Sequence, residues 1–466
     1  MIMKNKYIPI HYNNNYYLYD CLNKYLFTVD EKVYHEFKNC DNNRLLERIN
    51  KSTSLYPKSD KNNNIFHVLS TINTINNKKL YIYPEFQRKN VIESIIRTQH
   101  ITLEITELCN LNCIYCCYGK LYLKTQHNQI GDKNRITDFL KKILYLKANN
   151  QIITDLRISF YGGEPLIQFD TIKECVEIAC SILPNVNIKF AMTTNAVLLD
   201  KHIDYLIMHD FDICISLDGN KANNQYRIFK NGKQSFETVK KNIDFIQKKH
   251  PIFFEKNISF STVLHNKSNC IDACHFFSQY KKEPIFSYLS ISGTKKRSKK
   301  FSEINTQHQY NEKELENFKL DYPELYKSLF SNPNDTIYSW GRNRVPKNLN
   351  ELFKEEQYIY PGGSCFLFQN RIFITVNGDI LLCEKSSRKF KFGKITNKGF
   401  TIYLKRINKY YHDIIEIYRN QCTDCYKCFS CPKCYFSSHD EINKGLCICT
   451  KEQAIKEMND IVYSKL

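Results

Sequence analysis

The sequence predicts an α/β fold, and two observations carry this prediction. From residue 100 onward, short segments rich in β-branched and aromatic residues alternate with longer segments of helical periodicity. The chain has 466 residues, 42% of them hydrophobic, which is enough for a large buried core and two or three domains. Such alternation is typical of a parallel sheet, either doubly wound or an incomplete (β/α) barrel. In both architectures the functional groups collect at the C-terminal ends of the strands.

The first element is a separate N-terminal region, residues 1–95. Two strands are predicted at Tyr16–Tyr19 and Tyr25–Val29. Asp30 is placed to cap a helix that runs through Val33 and Phe37. This small α+β module suits recognition of a peptide or another partner, and it equally suits a cover over one end of the main domain.

The second element is the regular alternation in residues 96–300. The six predicted strands are Ile101–Thr106, Leu156–Tyr161, Ile188–Thr194, Phe211–Leu217, Ile258–Leu264 and Ile285–Ile291. The five predicted helices are Ile136–Leu146, Ile172–Ile182, His202–His209, Phe236–Lys248 and Cys270–Tyr280. A polar linker region, residues 301–361, follows and contains short helical stretches. The last element, residues 362–450, is rich in cysteine.

The 20 cysteines favour metal or redox chemistry over disulfides, because the chain is long and shows no apolar segment typical of a secretory signal. No stretch approaches the roughly 18 apolar residues of a membrane span, so we expect a cytoplasmic protein without a membrane partner. The net charge of +19 is spread along the chain and accompanies no nucleic-acid motif. We therefore expect no nucleic-acid partner.

Three cysteines on one loop carry the chemistry. Cys109, Cys113 and Cys116 follow the first predicted strand of the alternation with C-x3-C-x2-C spacing. Three thiolates can bind three irons of a cubane and leave the fourth iron open, whereas a structural zinc site usually closes with four ligands. Cys117 is interpreted as a neighbour whose side chain points away from that of Cys116.

This segment, with an aromatic residue before its last cysteine, resembles the motif of the radical S-adenosylmethionine (SAM) superfamily. The resemblance implies a partial (β/α)6 barrel and a [4Fe–4S] cluster that binds and cleaves SAM to a 5′-deoxyadenosyl radical. It extends over residues 100–293, through a Gly-Gly-Glu-Pro segment after the second strand and through the ends of strands three and four. The positions it assigns to SAM are Tyr115, Gly162, Gly163, Glu164, Asn195, Ser216 and Arg227.

Within that set, the resemblance gives particular roles to three side chains. Glu164 meets the SAM ammonium group, and Ser216 and Arg227 contact the ribose and the carboxylate. An arginine–carboxylate pair is chemically sensible. An ordinary strand end followed by a solvated arginine is the alternative for Ser216 and Arg227.

The C-terminal cysteines resemble the SPASM domain, which carries two auxiliary [4Fe–4S] clusters. The resemblance implies one cluster on Cys422, Cys425 and Cys431 with Cys447 or Cys449, and another on Cys365, Cys383 and Cys434. Three departures leave the register open. Two residues separate Cys431 from Cys434 where three are usual, Cys428 is extra and permits the register Cys425-x2-Cys428-x5-Cys434, and Cys447 and Cys449 compete for the last position. Considered alone, the C-x2-C pairs would also suit zinc.

The resemblance implies a maturase of a ribosomally made precursor peptide that forms a thioether or other crosslink, with a flavodoxin or ferredoxin as electron donor. The alternatives are an anaerobic sulfatase-maturating enzyme, a dehydrogenase of a small molecule, and a non-catalytic iron–sulfur scaffold. Glu384 directly follows Cys383, where sulfatase-maturating enzymes carry an aspartate proposed as a general base. A surface glutamate is the alternative for Glu384.

Overall fold

The computed structural model describes most of the chain. The described residues are 7–12, 14–20, 25–39, 79–80, 85–122, 129–150, 155–289, 294, 299–306, 312–326, 358–359, 365–369, 371–422, 425–426, 434–443 and 449–455. Two compact units are present: Glu85–Asn311 with Cys365–Asn408 form the larger, and Met1–Pro84, Glu312–Ser364 and Lys409–Leu466 form the smaller.

Numbered along the chain, the described strands are β1 (Tyr7–Tyr12), β2 (Asn15–Asp20), β3 (Tyr25–Val29), β4 (Lys79–Leu80), β5 (His100–Thr106), β6 (Asp155–Gly162), β7 (Asn187–Thr194), β8 (Asp212–Ser216), β9 (Ile258–Leu264), β10 (Ile285–Tyr288), β11 (Tyr358–Ile359), β12 (Ile372–Ile374), β13 (Asp379–Leu381), β14 (Gly393–Thr396) and β15 (Gly399–Ile402). The described helices are α1 (Glu31–Asn39), α2 (Arg88–Arg97), α3 (Lys133–Ala148), α4 (Phe169–Ile182), α5 (Leu199–Met208), α6 (Phe236–Lys249), α7 (Pro251–Asn257), α8 (Cys270–Ser278), α9 (Lys299–Ile304), α10 (Glu312–Asp321), α11 (Pro323–Tyr326), α12 (Leu404–Asn420) and α13 (Tyr435–Ile442).

The larger unit is built on a ten-stranded sheet with the order β10-β9-β8-β7-β6-β5-β12-β13-β14-β15. Strands β5 to β10 run parallel and are neighbours in chain order. The six predicted strands and five predicted helices of this region are confirmed, except that residues 290–291 of the sixth predicted strand lie outside the described residues. The α/β fold with a mostly parallel sheet is the one the sequence predicts. Among the described residues β10 and β15 remain edges, as an incomplete barrel requires.

The strand β5 shows how the sequence sets the two faces of this sheet. Successive side chains of a strand point to opposite faces. Ile101, Leu103 and Ile105 form one fully buried apolar row, and Thr102 and Glu104 belong to the opposite row. The polar row is also buried, so its hydroxyl and carboxylate groups need partners within the protein.

The sequence analysis did not predict the strands β12 to β15. Strand β12 pairs in parallel with β5, and the following strands are antiparallel. A tight turn at Asn377–Gly378 joins β12 to β13. Gly378 has a φ of +79°, and an added Cβ would lie 2.4 Å from the carbonyl oxygen of Ile395. The Cys383 segment therefore continues the sheet that carries the cysteine loop.

The smaller unit begins with an antiparallel sheet of order β1-β2-β3 and the helix α1. The prediction of β2, β3 and α1 is confirmed, and the Asp30 carboxylate accepts a hydrogen bond from the Val33 amide at 2.8 Å. Strand β1 was missed because it contains Pro9, which is tolerated at a sheet edge. No helix in the part of the chain that is described has the length and apolarity needed to cross a membrane.

A fully buried lysine stabilises the helix pair α2 and α3. The Lys147 ammonium donates hydrogen bonds to the carbonyl oxygens of Ile95 at 2.9 Å, Ile96 at 2.7 Å and Thr98. These carbonyls belong to the C-terminal turn of α2, and the last carbonyl groups of a helix have no amide donor within the helix. Burial lowers the pKa of Lys147 to about 8, so most of the ammonium remains charged at pH 7.

We expect Lys147→Met to reduce the free energy of unfolding by about 1–3 kcal/mol, since buried carbonyls lose their donor. Thermal or urea denaturation measures the change. The control is Lys142→Met on the same helix, which removes a partly exposed ion pair with Asp138 and should change stability by no more than about 1 kcal/mol. Equal stability of the two variants would contradict this role for Lys147.

Candidate active site

The cysteine loop follows β5 at the C-terminal end of the parallel strands. Its backbone is held by hydrogen bonds from the Asn112 amide to the Ile228 carbonyl at 2.7 Å and from the Ile114 amide to the Tyr226 carbonyl at 3.0 Å. The Sγ atom of Cys109 accepts from the Leu111 amide at 3.4 Å. The loop is therefore fixed to the segment that follows β8.

The three thiols of the loop lie within electrostatic range of one another. Burial, with a smaller contribution from the neighbouring thiols, raises the pKa of Cys109 to about 11 and that of Cys113 to about 12. The pKa of Cys116 is also raised, chiefly by a hydrogen bond with Cys117 and by burial. Three such thiols become thiolates together only if a cationic group binds them.

The side chain of Cys117 does not point away from that of Cys116, because the two thiols hydrogen-bond. This hydrogen bond is the main cause of a lowered pKa for Cys117, against the effect of burial, and Arg388 lowers it further. That Cys117 is a neighbour and not a cluster ligand stays a prediction.

Two glycines let the end of β6 meet the beginning of the cysteine loop. A Cβ on Gly162, whose φ is +142°, would lie 2.0 Å from the Thr106 carbonyl oxygen, and one on Gly163 would lie 2.2 Å from that of Leu108. The amides of Gly163 and Glu164 donate to the same two carbonyls at 2.8 and 2.9 Å. The glycines are needed for contact with the loop, whatever they contribute to SAM binding.

Glu164 is completely buried behind this contact. Its carboxylate accepts hydrogen bonds from the Leu166 amide at 3.1 Å, the Thr194 hydroxyl at 2.8 Å and the Asn195 amide at 2.7 Å. Burial raises its pKa to about 7, and these donors oppose that rise. Glu164 thus joins β6 to the end of β7. Its contact with the SAM ammonium group stays a prediction.

Asn195 extends the connection to the first cysteine. Its side-chain amide nitrogen lies 2.7 Å from Oδ1 of Asn110 and 3.5 Å from Sγ of Cys109. The structure therefore brings Glu164, Asn195 and Cys109 together. Ser216 is half-buried at the end of β8, where it pairs in register with Ser261 of β9.

Asp218, which the sequence analysis did not single out, organises the other side of the loop. Its side chain is fully buried and accepts hydrogen bonds from the Tyr115 hydroxyl, from Arg227 at 3.0 Å and from the Val263 amide at 3.0 Å. The structure therefore pairs Arg227 with a protein carboxylate. Its contact with the SAM carboxylate stays a prediction.

A second buried carboxylate, Glu104 of β5, was also missed. It accepts hydrogen bonds from the Tyr118 hydroxyl at 2.6 Å and the Val376 amide at 3.1 Å, and it forms an ion pair with Arg388. Tyr118 follows the cysteine loop and Arg388 follows Cys383. Glu104 therefore connects these two segments within the larger unit.

The C-terminal cysteines are divided between the units. In the larger unit Cys383 is half-buried, and Cys365 is close enough to contribute to its raised pKa. In the smaller unit the Cys449 amide lies 3.3 Å from Sγ of Cys425, and the Cys425 amide donates to the Cys422 carbonyl. Cys434 lies at the start of α13. Cys428, Cys431 and Cys447 lie outside the described residues, so the ligand sets stay predictions.

Comparison with known proteins identifies the family. Residues 103–269, which contain the cysteine loop and the Gly-Gly-Glu-Pro segment, match the family model of the radical SAM superfamily. An uncharacterized protein of Methanocaldococcus jannaschii is 30% identical over 319 residues, which cover 65% of this chain and 94% of that protein. The chain belongs to the radical SAM superfamily. It is therefore an enzyme, and the alternative of a non-catalytic scaffold does not apply.

Two further relatives show how far the similarity extends. The radical SAM cyclopropyl synthase TigE of Paramaledivibacter caminithermalis is 28% identical over 254 residues, 50% of this chain and 53% of that protein. The solved structure of anSMEcpe with bound AdoMet and the Cp18Cys peptide has a TM-score of 0.54 and 16% identity, covering 78% of this chain and 97% of that one. The latter shares the fold of this radical SAM enzyme.

The residues of the site fit the cofactors of the superfamily, a [4Fe–4S] cluster and SAM. Cys109, Cys113 and Cys116 supply three soft sulfur ligands, and thiolate ligands are typical of iron–sulfur clusters. Arg227 places a buried guanidinium near Cys113 and Cys116. The cysteines of residues 365–449 are compatible with auxiliary clusters. When bound, the cluster and SAM supply a 5′-deoxyadenosyl radical.

We expect Gly163→Ala to lower the iron content of the enzyme, because the new methyl group would displace the cysteine loop from the end of β6. Iron analysis and the electron paramagnetic resonance spectrum of the reduced SAM-binding cluster measure the loss.

Gly232→Ala is the matched control. Gly232 has a φ of +84° but open space around it, so the added methyl group costs only about 1 kcal/mol of backbone strain and leaves the iron content unchanged. Full iron content in both variants would show that the close approach at Gly163 is not needed for cluster assembly.

Proposed function

We propose that this enzyme modifies a ribosomally made precursor peptide by forming a thioether or other crosslink. The observation that carries the proposal is the position of Glu384. It follows the candidate cluster ligand Cys383 in the segment that continues the sheet of the radical SAM barrel. A carboxylate at this position can accept the proton that a substrate releases when it is oxidised next to the radical site.

The surroundings of Glu384 support a catalytic carboxylate rather than a surface group. Both of its oxygens accept hydrogen bonds from Nη1 of Arg371, at 3.1 and 2.9 Å, and its side chain is 18% exposed. It also lies within electrostatic range of Tyr161 and His100. Burial lowers the pKa of His100 to about 4, so this ring is neutral at pH 7. Arg371 holds the carboxylate in one orientation, and a carboxylate so placed can accept a proton from the substrate.

The similar proteins are consistent with this substrate class. The name of TigE describes a cyclopropyl synthase, which forms carbon–carbon bonds, and anSMEcpe has been solved with a peptide bound. The net charge of +19 suits docking of an acidic electron donor such as a flavodoxin or ferredoxin. The three-stranded sheet with α1 is available to recognise part of the peptide. Among the described residues β1 and β3 are its edge strands, and a sheet edge can pair with an extended chain.

Oxidation of one Cys or Ser to formylglycine is the second candidate function. The position of Glu384 also favours formylglycine formation, because sulfatase-maturating enzymes carry an aspartate at the corresponding place. Both reactions need a proton acceptor near the radical site. They differ in the product, since formylglycine contains an aldehyde and a crosslink joins two residues.

We expect Glu384→Gln to lower peptide modification about a hundredfold or more, because the amide cannot accept the proton, while 5′-deoxyadenosine release continues. The anaerobically reconstituted enzyme is incubated with SAM, dithionite and a synthetic peptide encoded by a neighbouring gene. Mass spectrometry quantifies crosslinked and aldehyde products, and chromatography quantifies 5′-deoxyadenosine. A sulfatase-derived peptide is tested in parallel.

The control is Glu174→Gln, which removes a carboxylate that pairs with Lys133 at 2.8 Å on the helical surface and should leave both products unchanged. Undiminished product formation by Glu384→Gln would remove this residue from the mechanism. An aldehyde product from the sulfatase-derived peptide alone would favour the second candidate function. No modification of either peptide would contradict a peptide substrate.

A further inference from the structure

A buried group of charged and polar side chains lies directly against the cysteine loop. Asp218 and His265 are completely buried, and Tyr115 and Arg227 are each 7% exposed. Burial opposes the ionised form of Asp218, but Arg227 keeps its pKa below the usual range. Tyr115, between Cys113 and Cys116 in the chain, is a member of this group.

The donors around Asp218 are arranged so that Arg227 is its principal charged partner. Arg227 donates to Oδ1, which also accepts from the Val263 amide. Nδ1 of His265 accepts from the Lys267 amide at 3.2 Å, which places the ring proton on Nε2. That nitrogen lies 3.7 Å from Oδ2 of Asp218, beyond hydrogen-bond distance. The histidine therefore does not replace the arginine.

Arg227 keeps an unused donor in this buried position. Its Nε atom has no hydrogen-bond partner among the described residues, although the side chain is buried. The guanidinium lies 5.5 Å from the ring centroid of Tyr115, the residue between Cys113 and Cys116 in the cysteine loop. An unpaired buried N–H is costly, so a ligand that accepts from it would gain affinity.

We propose that Asp218 is a positioning residue for SAM binding, which fixes Arg227 beside the cysteine triad and leaves the Nε–H donor for an anionic group of the cofactor. Asp218 balances the arginine charge in the free enzyme and holds the guanidinium in one orientation. A fixed donor loses less conformational entropy when the ligand binds. The inference concerns cofactor binding and does not depend on the peptide substrate proposed above.

The first test measures SAM affinity of the reconstituted enzyme from the spectroscopic change of the cluster on SAM addition. We expect Asp218→Asn and Arg227→Gln each to weaken SAM binding about tenfold or more, the worth of a hydrogen bond to a charged group. The double variant should bind no more weakly than Arg227→Gln, because Asp218 acts through Arg227. Unchanged affinity of Asp218→Asn, or additive losses in the double variant, would overturn the proposal.

The second test measures the reduction potential of the SAM-binding cluster without SAM, by spectroscopically monitored titration. Asp218→Asn leaves an unbalanced positive charge beside the thiolates and should raise the potential. Arg227→Gln leaves an unbalanced negative charge and should lower it. The double variant removes both charges and keeps the buried region neutral, so its reduction potential should be close to that of the wild-type enzyme. Equal shifts in one direction for both single variants would contradict the assigned charges.

Asp212→Asn is the matched control for both tests. Asp212 begins the same strand, β8, and pairs with Arg157 at 2.8 Å at the end of the strand away from the cysteine loop. Its loss should leave SAM affinity within about twofold and the potential unchanged, as for a partly exposed ion pair. If Asp212→Asn lost as much SAM affinity as Asp218→Asn, the effect would not depend on the position of Asp218 beside the cysteine loop. If Asp218→Asn does not fold, the double variant still tests the compensation of charge.

Discussion

The close approach of β6 to the cysteine loop is the constraint on which the rest of the site depends. Thr106 and Leu108 accept backbone hydrogen bonds from Gly163 and Glu164. No side chain fits at Gly162 or at Gly163. This contact buries Glu164 and directs its carboxylate toward Asn195. A loop of three cysteines has little structure of its own, so the surrounding strand ends must hold its ligands in place.

The buried carboxylates of the site have partners that connect one strand end to the next. Glu164 joins β6 to β7, Asp218 joins the end of β8 to β9 and to the loop, and Glu104 joins β5 to the segment after Cys383. A buried carboxylate is costly unless it is paired and hydrogen-bonded. Each of these three has at least three donors or cations, which makes the arrangement specific as well as stable.

The sequence predicted the parts of the fold that depend on local patterns. The six parallel strands and their helices have clear periodicities, and the cysteine spacing with Gly-Gly-Glu-Pro is a local signal. Strands β12 to β15 are only three or four residues long and have weak patterns, although the Asn377–Gly378 turn was available as a hairpin signal. The pairs Tyr115–Asp218 and Glu104–Arg388 span 103 and 284 residues, so they depend on strand register that one sequence does not reveal.

The central claim is that Cys109, Cys113 and Cys116 hold the cluster that cleaves SAM. The most direct measurement is 5′-deoxyadenosine release by a variant with all three cysteines changed to Ala, after anaerobic reconstitution with iron and sulfide and reduction with dithionite. The account predicts no release, together with retained iron at the C-terminal cysteines. Release at the rate of the wild-type enzyme would contradict it.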